Sequence, residues 1–201
     1  MRDQRPARLT SLPNLLGVGR ILATPVVVGL LLLPFPGAGL IAFVLFAAAS
    51  ISDTLDGRIA RSRGEVSPLG VFMDLTADKV LVAGVLVAMV EVQLLPTWIV
   101  ALILIRELVI AGVRQLAASE DVVMAAGGLG KAKTFVTLLG MGLLLLAFDA
   151  RTDGPLAAIG ANDLLAAIGF WTMVVATVLT VVSGWAYLRA AWPLLRGDRG
   201  G

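Results

Sequence analysis

Six apolar segments, joined by short connections, restrict how this chain can fold more than any other feature of its sequence. Most of them approach the ~20 residues that an α-helix needs to cross the hydrocarbon core of a bilayer. Proline and glycine mark several of the connections, as at Pro34, Pro96 and Pro155. The segments run over residues 15–33, 40–53, 71–90, 97–116, 134–148 and 164–188. We therefore expect an all-α, polytopic membrane protein with six transmembrane helices.

The composition agrees with a bilayer environment. Of the 201 residues, 58% are hydrophobic and only 15% are charged, which is too few to cover a soluble domain of this size. The length suits one domain, so we expect a single membrane-embedded domain over residues 1–201. Residues 1–14 would form a cytoplasmic leader that is retained and not cleaved, and residues 189–201 a cytoplasmic tail.

Basic residues predict the orientation of the segments. With six spans, one side would carry most of them, whereas the loops of the opposite side contain only Arg151. Positive charge accumulates on the cytoplasmic side of membrane proteins, so we expect both termini in the cytoplasm. The basic residues on that side are Arg2, Arg5, Arg8, Arg58, Arg61, Arg63, Lys131, Lys133, Arg189, Arg196 and Arg199.

The side chains that are missing narrow the chemistry. The chain has no cysteine and no histidine, which excludes disulfides, thiolate nucleophiles, phosphohistidine and the usual zinc or haem ligands. Carboxylates must then bind any metal, and they favour Mg²⁺ or Mn²⁺. The net charge of +2 comes without a basic tract interleaved with aromatic residues, so nucleic acid is not an expected partner.

Four aspartates form two pairs with helical spacing. Asp53 and Asp56 are three residues apart, and Asp74 and Asp78 are four apart, so each pair shares one face of a helix. The first pair lies near the cytoplasmic end of the second segment and the second pair near the start of the third. If these two helices are antiparallel neighbours, the four carboxylates meet just inside the membrane boundary.

Carboxylates at that depth need compensating positive charge. Each costs about 2.5–3.5 kcal/mol at the centre of a membrane helix, and less near the interface. Mutual repulsion adds to that cost. A pair of divalent cations would compensate it and would also clamp phosphoryl oxygens. The structural alternative is that the four acids form salt bridges with neighbouring arginines.

The acidic stretch resembles the signature of the CDP-alcohol phosphotransferase family, Asp-x₂-Asp-Gly-x₂-Ala-Arg-x₈-Gly-x₃-Asp-x₃-Asp. The resemblance implies a site open to the cytoplasm, in which Asp53, Asp56 and Asp74 bind two divalent metals. Asp78 would be the general base and could also contact a metal. A homodimer is usual for such proteins. The eight fixed positions are Asp53, Asp56, Gly57, Ala60, Arg61, Gly70, Asp74 and Asp78.

The donor implied by the resemblance is a CDP-activated lipid. Gly57, Arg61 and Ser67 match the family's contacts to the CDP group, and Asn14 matches a position lining the nucleotide pocket. Gly70 lies one helical turn before Asp74 and would let a bulky group approach the backbone. The expected reaction is direct attack of an alcohol on the lipid-bearing phosphorus, with CMP leaving and no covalent enzyme intermediate.

Cations in the second half of the chain bear on the acceptor alcohol. Arg106 and Arg114 are eight residues apart, a little over two helical turns, and Lys131 and Lys133 begin the fifth segment. A cluster of this kind suits a phosphorylated acceptor better than a neutral one. The alternative is that the lysines only set the topology and that Arg106 pairs with Glu107 or with an aspartate of the site.

Four further segments carry a resemblance: Leu12-Pro13-Asn14-Leu15-Leu16, Arg106-Glu107-Leu108, Gly112-Val113-Arg114 and Gly130-Lys131-x-Lys133-Thr134. They resemble the branch of the family that uses CDP-diacylglycerol and glycerol 3-phosphate in the cell (inner or plasma) membrane. One departure is that Met73-Asp74-Leu75-Thr76-Ala77-Asp78-Lys79 lacks the proline that this branch commonly has after the first aspartate. The acceptor could instead be an inositol phosphate or phosphatidylglycerol. A divalent-cation transporter and a structural subunit are the alternatives from other classes.

Overall fold

The computed structural model describes the backbone of residues 12–63, 68–120, 122 and 128–195, and the side chains of residues 17–52, 72–73, 76–120, 122 and 128–192. Within these ranges the chain is helical and has no β-strand, which confirms the all-α class. Each predicted apolar segment corresponds to one helix. The helices are α1 (Leu12–Leu32), α2 (Ala38–Arg63), α3 (Pro68–Glu91), α4 (Thr97–Ser119), α5 (Gly128–Arg151) and α6 (Asn162–Leu195), with a short 3₁₀-helix, Pro155–Ile159, before α6.

The helices end where the sequence breaks them, but several extend beyond the apolar segments. Helix α1 ends just before Leu33-Pro34, where proline disfavours helical geometry in the preceding residue. Helix α2 continues past Asp53 to Arg63, and α5 begins at Gly128. Hydropathy falls where charged residues begin, whereas the helical hydrogen-bond ladder does not require apolar side chains. The charged residues of the site are therefore carried on helices.

Contacts between the helices fix their relative directions. The paired positions run in opposite order for α2 with α5 and for α5 with α6, and in the same order for α1 with α3. Helices α1, α3 and α5 therefore begin at the same end of the bundle. The pairs are Leu40–Asp149 and Phe43–Gly142, Gly140–Met173 and Leu144–Gly169, and Gly17–Met73 and Thr24–Gly84.

A buried apolar core joins all six helices, while much of the outer surface is also apolar. On that surface Leu33 is 76% exposed, Leu108 73% and Trp185 65%. Apolar exposure of this extent is typical of a surface that faces lipid. The largest fully buried side chains include Leu31, Leu81, Leu86, Met89, Ile99, Met141, Leu144, Leu145 and Met173.

Two helices in the described part of the chain are long and apolar enough to cross a membrane by themselves. These are Gly128–Arg151 and Asn162–Trp192, while Gly17–Leu32 and Ala38–Ser52 are shorter apolar stretches. Helix α4 has a suitable length but carries three charged residues, Arg106, Glu107 and Arg114. The helix formed by the fifth apolar segment is thus longer than the segment that hydropathy predicts. Length and hydropathy alone identify two membrane spans among the described residues, and not six.

A buried carboxylate joins three elements at the end of the bundle where α5 ends. The side chain of Asp149 is fully buried. One of its oxygens accepts a hydrogen bond from the Leu40 amide at 3.0 Å and the other accepts one from the Leu156 amide at 3.1 Å. These amides belong to the first turns of α2 and of the 3₁₀-helix, whose N–H groups have no partner within their own helix. A Cβ atom at Gly39 would lie 2.3 Å from the Asp149 nitrogen, so only glycine permits this approach.

Candidate active site

A cavity of about 490 Å³ opens between α4, α5 and α6. The four cations that the sequence predicts for the acceptor all line it. Arg106 and Arg114 come from α4, and Lys131 and Lys133 come from the first turns of α5. Tyr187 of α6 closes another side. The structure thus brings together residues separated by as many as 81 positions in the sequence.

A single carboxylate links two of these cations. Glu107 forms a salt bridge with Arg106, with 3.0 Å between Oε1 and Nη1, and a second salt bridge with Lys133. The Arg106 and Lys133 side chains are only 11% exposed, and that of Glu107 is 31% exposed. The predicted alternative, in which Arg106 pairs with Glu107, is therefore present, and Arg106 lines the cavity as well.

The two other cations are more accessible. Arg114 and Lys131 are exposed, whereas Lys133 is buried. One side of the cavity therefore holds cations fixed by Glu107, and the other holds cations that reach solvent.

The register of α2 and α5 relates this cavity to the first pair of aspartates. Leu40 contacts Asp149, and the two helices are antiparallel. Asp56 lies sixteen residues beyond Leu40, and Lys133 lies sixteen residues before Asp149. Each distance corresponds to about 24 Å of helix. The backbone at Asp56 is therefore at the same level of the bundle as the cationic cavity.

Asp78 connects the second pair of aspartates to the cavity. Its side chain is half-buried, and its carboxylate attracts the Lys133 ammonium electrostatically. It is the only one of the four aspartates whose side chain is described. Among the described side chains, no group of three or more acidic, histidine or cysteine residues could hold a metal.

The remaining predicted residues are placed only by their backbone or lie outside the described residues. Asp53 and Asp56 lie in α2, and Asp74 lies in α3 with Asp78, as the spacing predicts. The side chains of Asp53, Asp56 and Asp74 are outside the described residues, and so is the whole of Ser67. The other predicted donor-binding positions with only a described backbone are Asn14 in α1, Gly57 and Arg61 in α2, and Gly70 in α3.

The sequence analysis did not single out Arg20. It is the one charged residue of α1, and only 2% of it is exposed. It lies between Gly17, which faces Met73, and Thr24, which faces Gly84, on the side of α1 that packs against α3. This register places it level with residues 76–80, which include Asp78. The signal was a lone arginine within an apolar helix, which is a mark of function in membrane proteins.

The motif on α2 and α3 agrees with what comparison with known proteins finds. The model of the CDP-alcohol phosphatidyltransferase family matches residues 10–182. The chain therefore belongs to this family of enzymes, and the resemblance seen in its aspartate motif is confirmed.

Particular relatives cover most of the chain. It is 34% identical over 198 residues to the CDP-diacylglycerol–glycerol-3-phosphate 3-phosphatidyltransferase of Bacillus subtilis (strain 168). The aligned region covers 92% of this chain and 97% of that protein. The protein of the same name from Rickettsia bellii (strain RML369-C) is 32% identical over 180 residues, 90% of this chain and 94% of that protein. The cardiolipin synthase (CMP-forming) of Oryza sativa subsp. japonica is 31% identical over 204 residues, 94% of this chain and 60% of that protein.

Proposed function

We propose that this enzyme transfers the phosphatidyl group of CDP-diacylglycerol to glycerol 3-phosphate, giving phosphatidylglycerophosphate and CMP. The observation that carries the proposal is the cavity lined by Arg106, Arg114, Lys131 and Lys133. A phosphomonoester needs several charge-assisted hydrogen bonds when it leaves water, and arginine and lysine side chains provide them. The names of the relatives from Bacillus subtilis and Rickettsia bellii support the same acceptor.

The four aspartates suit divalent cations. They are carboxylates placed in pairs on two helices, and the chain has neither histidine nor cysteine to favour a softer metal. We assign Mg²⁺ or Mn²⁺, in a two-metal site, to Asp53, Asp56, Asp74 and Asp78. When bound, such ions neutralise the pyrophosphate of the donor and the charge that develops on the leaving group.

The protein's own residues divide the remaining work. Arg61 binds the pyrophosphate of the CDP-lipid, and Asn14, Gly57, Ser67 and Gly70 accommodate its nucleotide part. Glycines suit a close approach because they place no side chain against the ligand. Gly57, Arg61 and Gly70 are fixed positions of the motif that the chain shares with the family, which supports their roles. The roles of Asn14 and Ser67 follow from the family resemblance alone.

The reaction is a single displacement. A hydroxyl oxygen of glycerol 3-phosphate bonds to the phosphorus that carries the diacylglycerol. The bond from this phosphorus to the bridging oxygen of the pyrophosphate breaks, and CMP leaves with that oxygen and the electron pair. Asp78 takes the proton of the attacking hydroxyl as general base. Its half-buried position and its attraction to Lys133 support a place between donor and acceptor.

We further propose that all six helices span the cell (inner or plasma) membrane as one domain over residues 1–201, with both termini and the site on the cytoplasmic side. The alternating directions of the packed helices support this topology, as does the accumulation of basic residues at the end of the bundle where α1 begins. Helices too charged to insert alone can do so when their charges face the bundle interior. As the family resemblance implies, the enzyme would act as a homodimer among membrane lipids.

Phosphatidylglycerol is the second candidate acceptor, favoured by the relative from Oryza sativa that is named a cardiolipin synthase. Incubation of the purified enzyme with CDP-diacylglycerol, a divalent metal and one alcohol at a time separates the possibilities by mass spectrometry of the lipid product. We expect phosphatidylglycerophosphate from glycerol 3-phosphate and no product from unphosphorylated glycerol. Formation of cardiolipin or of an inositol lipid as the main product would contradict the proposed acceptor.

A further inference from the structure

Helix α6 contributes Tyr187 to the lining of the cavity and packs against Arg106, although it carries none of the motif's aspartates. A row of small hydroxyl-bearing residues, Thr177, Thr180 and Ser183, is buried along it at helical spacing. Gly184 and Tyr187 continue the same side toward the cytoplasmic end of the helix. The side chain of Arg106 lies against this part of α6, which therefore helps to fix its position.

Three contacts define how α6 holds Arg106. Its Nη2 atom donates a hydrogen bond to the Ser183 hydroxyl at 3.1 Å. Its guanidinium carbon lies 5.7 Å from the centre of the Tyr187 ring, within the range of a cation–π interaction. A Cβ atom at Gly184 would lie 2.9 Å from the Arg106 Cγ atom, so the aliphatic part of Arg106 occupies the space that a larger residue would fill.

The hydrogen bonds of Arg106 use two of its five N–H donors. Nη1 is bonded to Glu107 and Nη2 to Ser183. Nε is buried and has no hydrogen-bond partner within the described part of the chain. A buried donor of a charged group is costly to leave unpaired. This nitrogen faces α6, because a Cβ atom at Gly184 would lie 3.4 Å from it. Each terminal nitrogen carries a second N–H, which can donate to an anionic oxygen in the cavity that Arg106 lines.

We propose that Ser183 and Gly184 are positioning residues for the acceptor, acting through Arg106. Gly184 provides the groove for the Arg106 side chain, Ser183 holds one of its terminal nitrogens, and Tyr187 covers the guanidinium group. The bound phosphate then meets the terminal N–H groups of an arginine that is already oriented. This inference rests on the proposed function for the role of Arg106 and extends it to a helix that carries none of the signature aspartates.

The test is a double-mutant cycle between positions 184 and 106. Gly184→Ala should raise the KM for glycerol 3-phosphate about tenfold, with the KM for CDP-diacylglycerol unchanged, because the added methyl group displaces Arg106. In an Arg106→Ala background the Cγ atom is gone, so Gly184→Ala should raise this KM no further. Equal effects of Gly184→Ala in both backgrounds would overturn the proposal.

Two further variants exclude a general effect on folding. Gly29→Ala is the matched control, because outside its own helix no described atom lies within 4 Å of the Cβ that it would add, and it should leave both KM values unchanged. Ser183→Ala should raise the KM for glycerol 3-phosphate without an inserted methyl group. An unchanged KM in both Ser183→Ala and Gly184→Ala would also overturn the proposal. If the wild-type enzyme consumes another alcohol instead, the proposed acceptor is wrong, and the same cycle is measured with that alcohol.

Discussion

Two carboxylates at opposite ends of the bundle show how differently a membrane helix can use an acidic residue. Asp149 is fully buried and accepts hydrogen bonds from two backbone amides. Glu107 is partly exposed and pairs with two cationic side chains that line a cavity. The partners of Asp149 belong to helix ends and cannot move away without disrupting α2. The partners of Glu107 are side chains that can rearrange around a ligand.

Asp149 thus holds helix ends together, whereas Glu107 orients cations that line a cavity. A carboxylate bonded to backbone amides leaves nothing for a ligand. A carboxylate bonded to cations keeps them charged, oriented and close to the surface of the cavity. We therefore expect substitutions near Asp149 to change stability and substitutions near Glu107 to change the kinetics.

The largest effect on activity should come from Asp78→Asn. This variant keeps the size of the side chain but removes the group that accepts the proton, so the transfer rate should fall by about 10²–10⁴-fold. Release of CMP measures the rate, while binding of CDP-diacylglycerol and the unfolding temperature should change little. Near-normal turnover would show that Asp78 is not the base.

At the other end, Asp149→Ala should mainly reduce stability. It leaves the part-buried Leu40 and Leu156 amides without acceptors, at up to about 1–3 kcal/mol for each donor. Thermal unfolding in detergent should therefore shift to lower temperature, with the KM for glycerol 3-phosphate unchanged in the folded fraction. Asp149→Asn retains one acceptor oxygen, so its unfolding temperature should lie between those of the wild type and Asp149→Ala. If Asp149→Ala instead raised the KM for glycerol 3-phosphate and left the unfolding temperature unchanged, the structural role assigned to Asp149 would be wrong.

Arg114→Ala and Lys133→Ala should each raise the KM for glycerol 3-phosphate about tenfold, the equivalent of about 1.4 kcal/mol. Turnover at saturating acceptor should change less, because these cations bind the phosphate and not the reacting hydroxyl. Arg151→Ala is the matched control, since Arg151 is an exposed cation at the far end that donates only a 3.4 Å hydrogen bond to the Val92 carbonyl within the described residues. An equal change in Arg151→Ala would point to net charge and not to the cavity.

The smallest effect should come from Lys131→Ala. Lys131 is exposed, whereas Lys133 is buried and paired with Glu107. Water and salt therefore screen the attraction between Lys131 and the acceptor phosphate more strongly. We expect a change in KM of about two- to threefold at low salt that disappears as ionic strength rises. A larger effect than that of Lys133→Ala would reverse the assignment of inner and outer cations.

Hydropathy and breakers predict the six helices because each apolar segment ends at proline, glycine or charge. They predict the ends less well, since α2 and α5 remain helical through charged residues that hydropathy counts as loop. The common position of Arg106, Arg114, Lys131 and Lys133 follows from topology, because the end of α4 and the start of α5 lie on the same side. The clustering of these four cations could therefore be predicted from the sequence.

Contacts that depend on how helices rotate against one another were not predictable. Asp149 stands beside a loop in the sequence, and its partner Leu40 is 109 residues away. Gly184 has no feature in the sequence that marks it as the neighbour of Arg106. In the sequence, Asp149 and Gly184 look like ordinary residues of packed helices. Their specific partners become visible only when the rotation and the register of the neighbouring helices are known.

The most direct test of the central claim is an experimental structure of the enzyme in lipid nanodiscs with glycerol 3-phosphate bound. We predict that the phosphate lies in the cavity between α4, α5 and α6, within hydrogen-bond distance of Arg106, Arg114 and Lys133, with a hydroxyl directed toward Asp78. A phosphate bound elsewhere, with this cavity empty, would contradict the account.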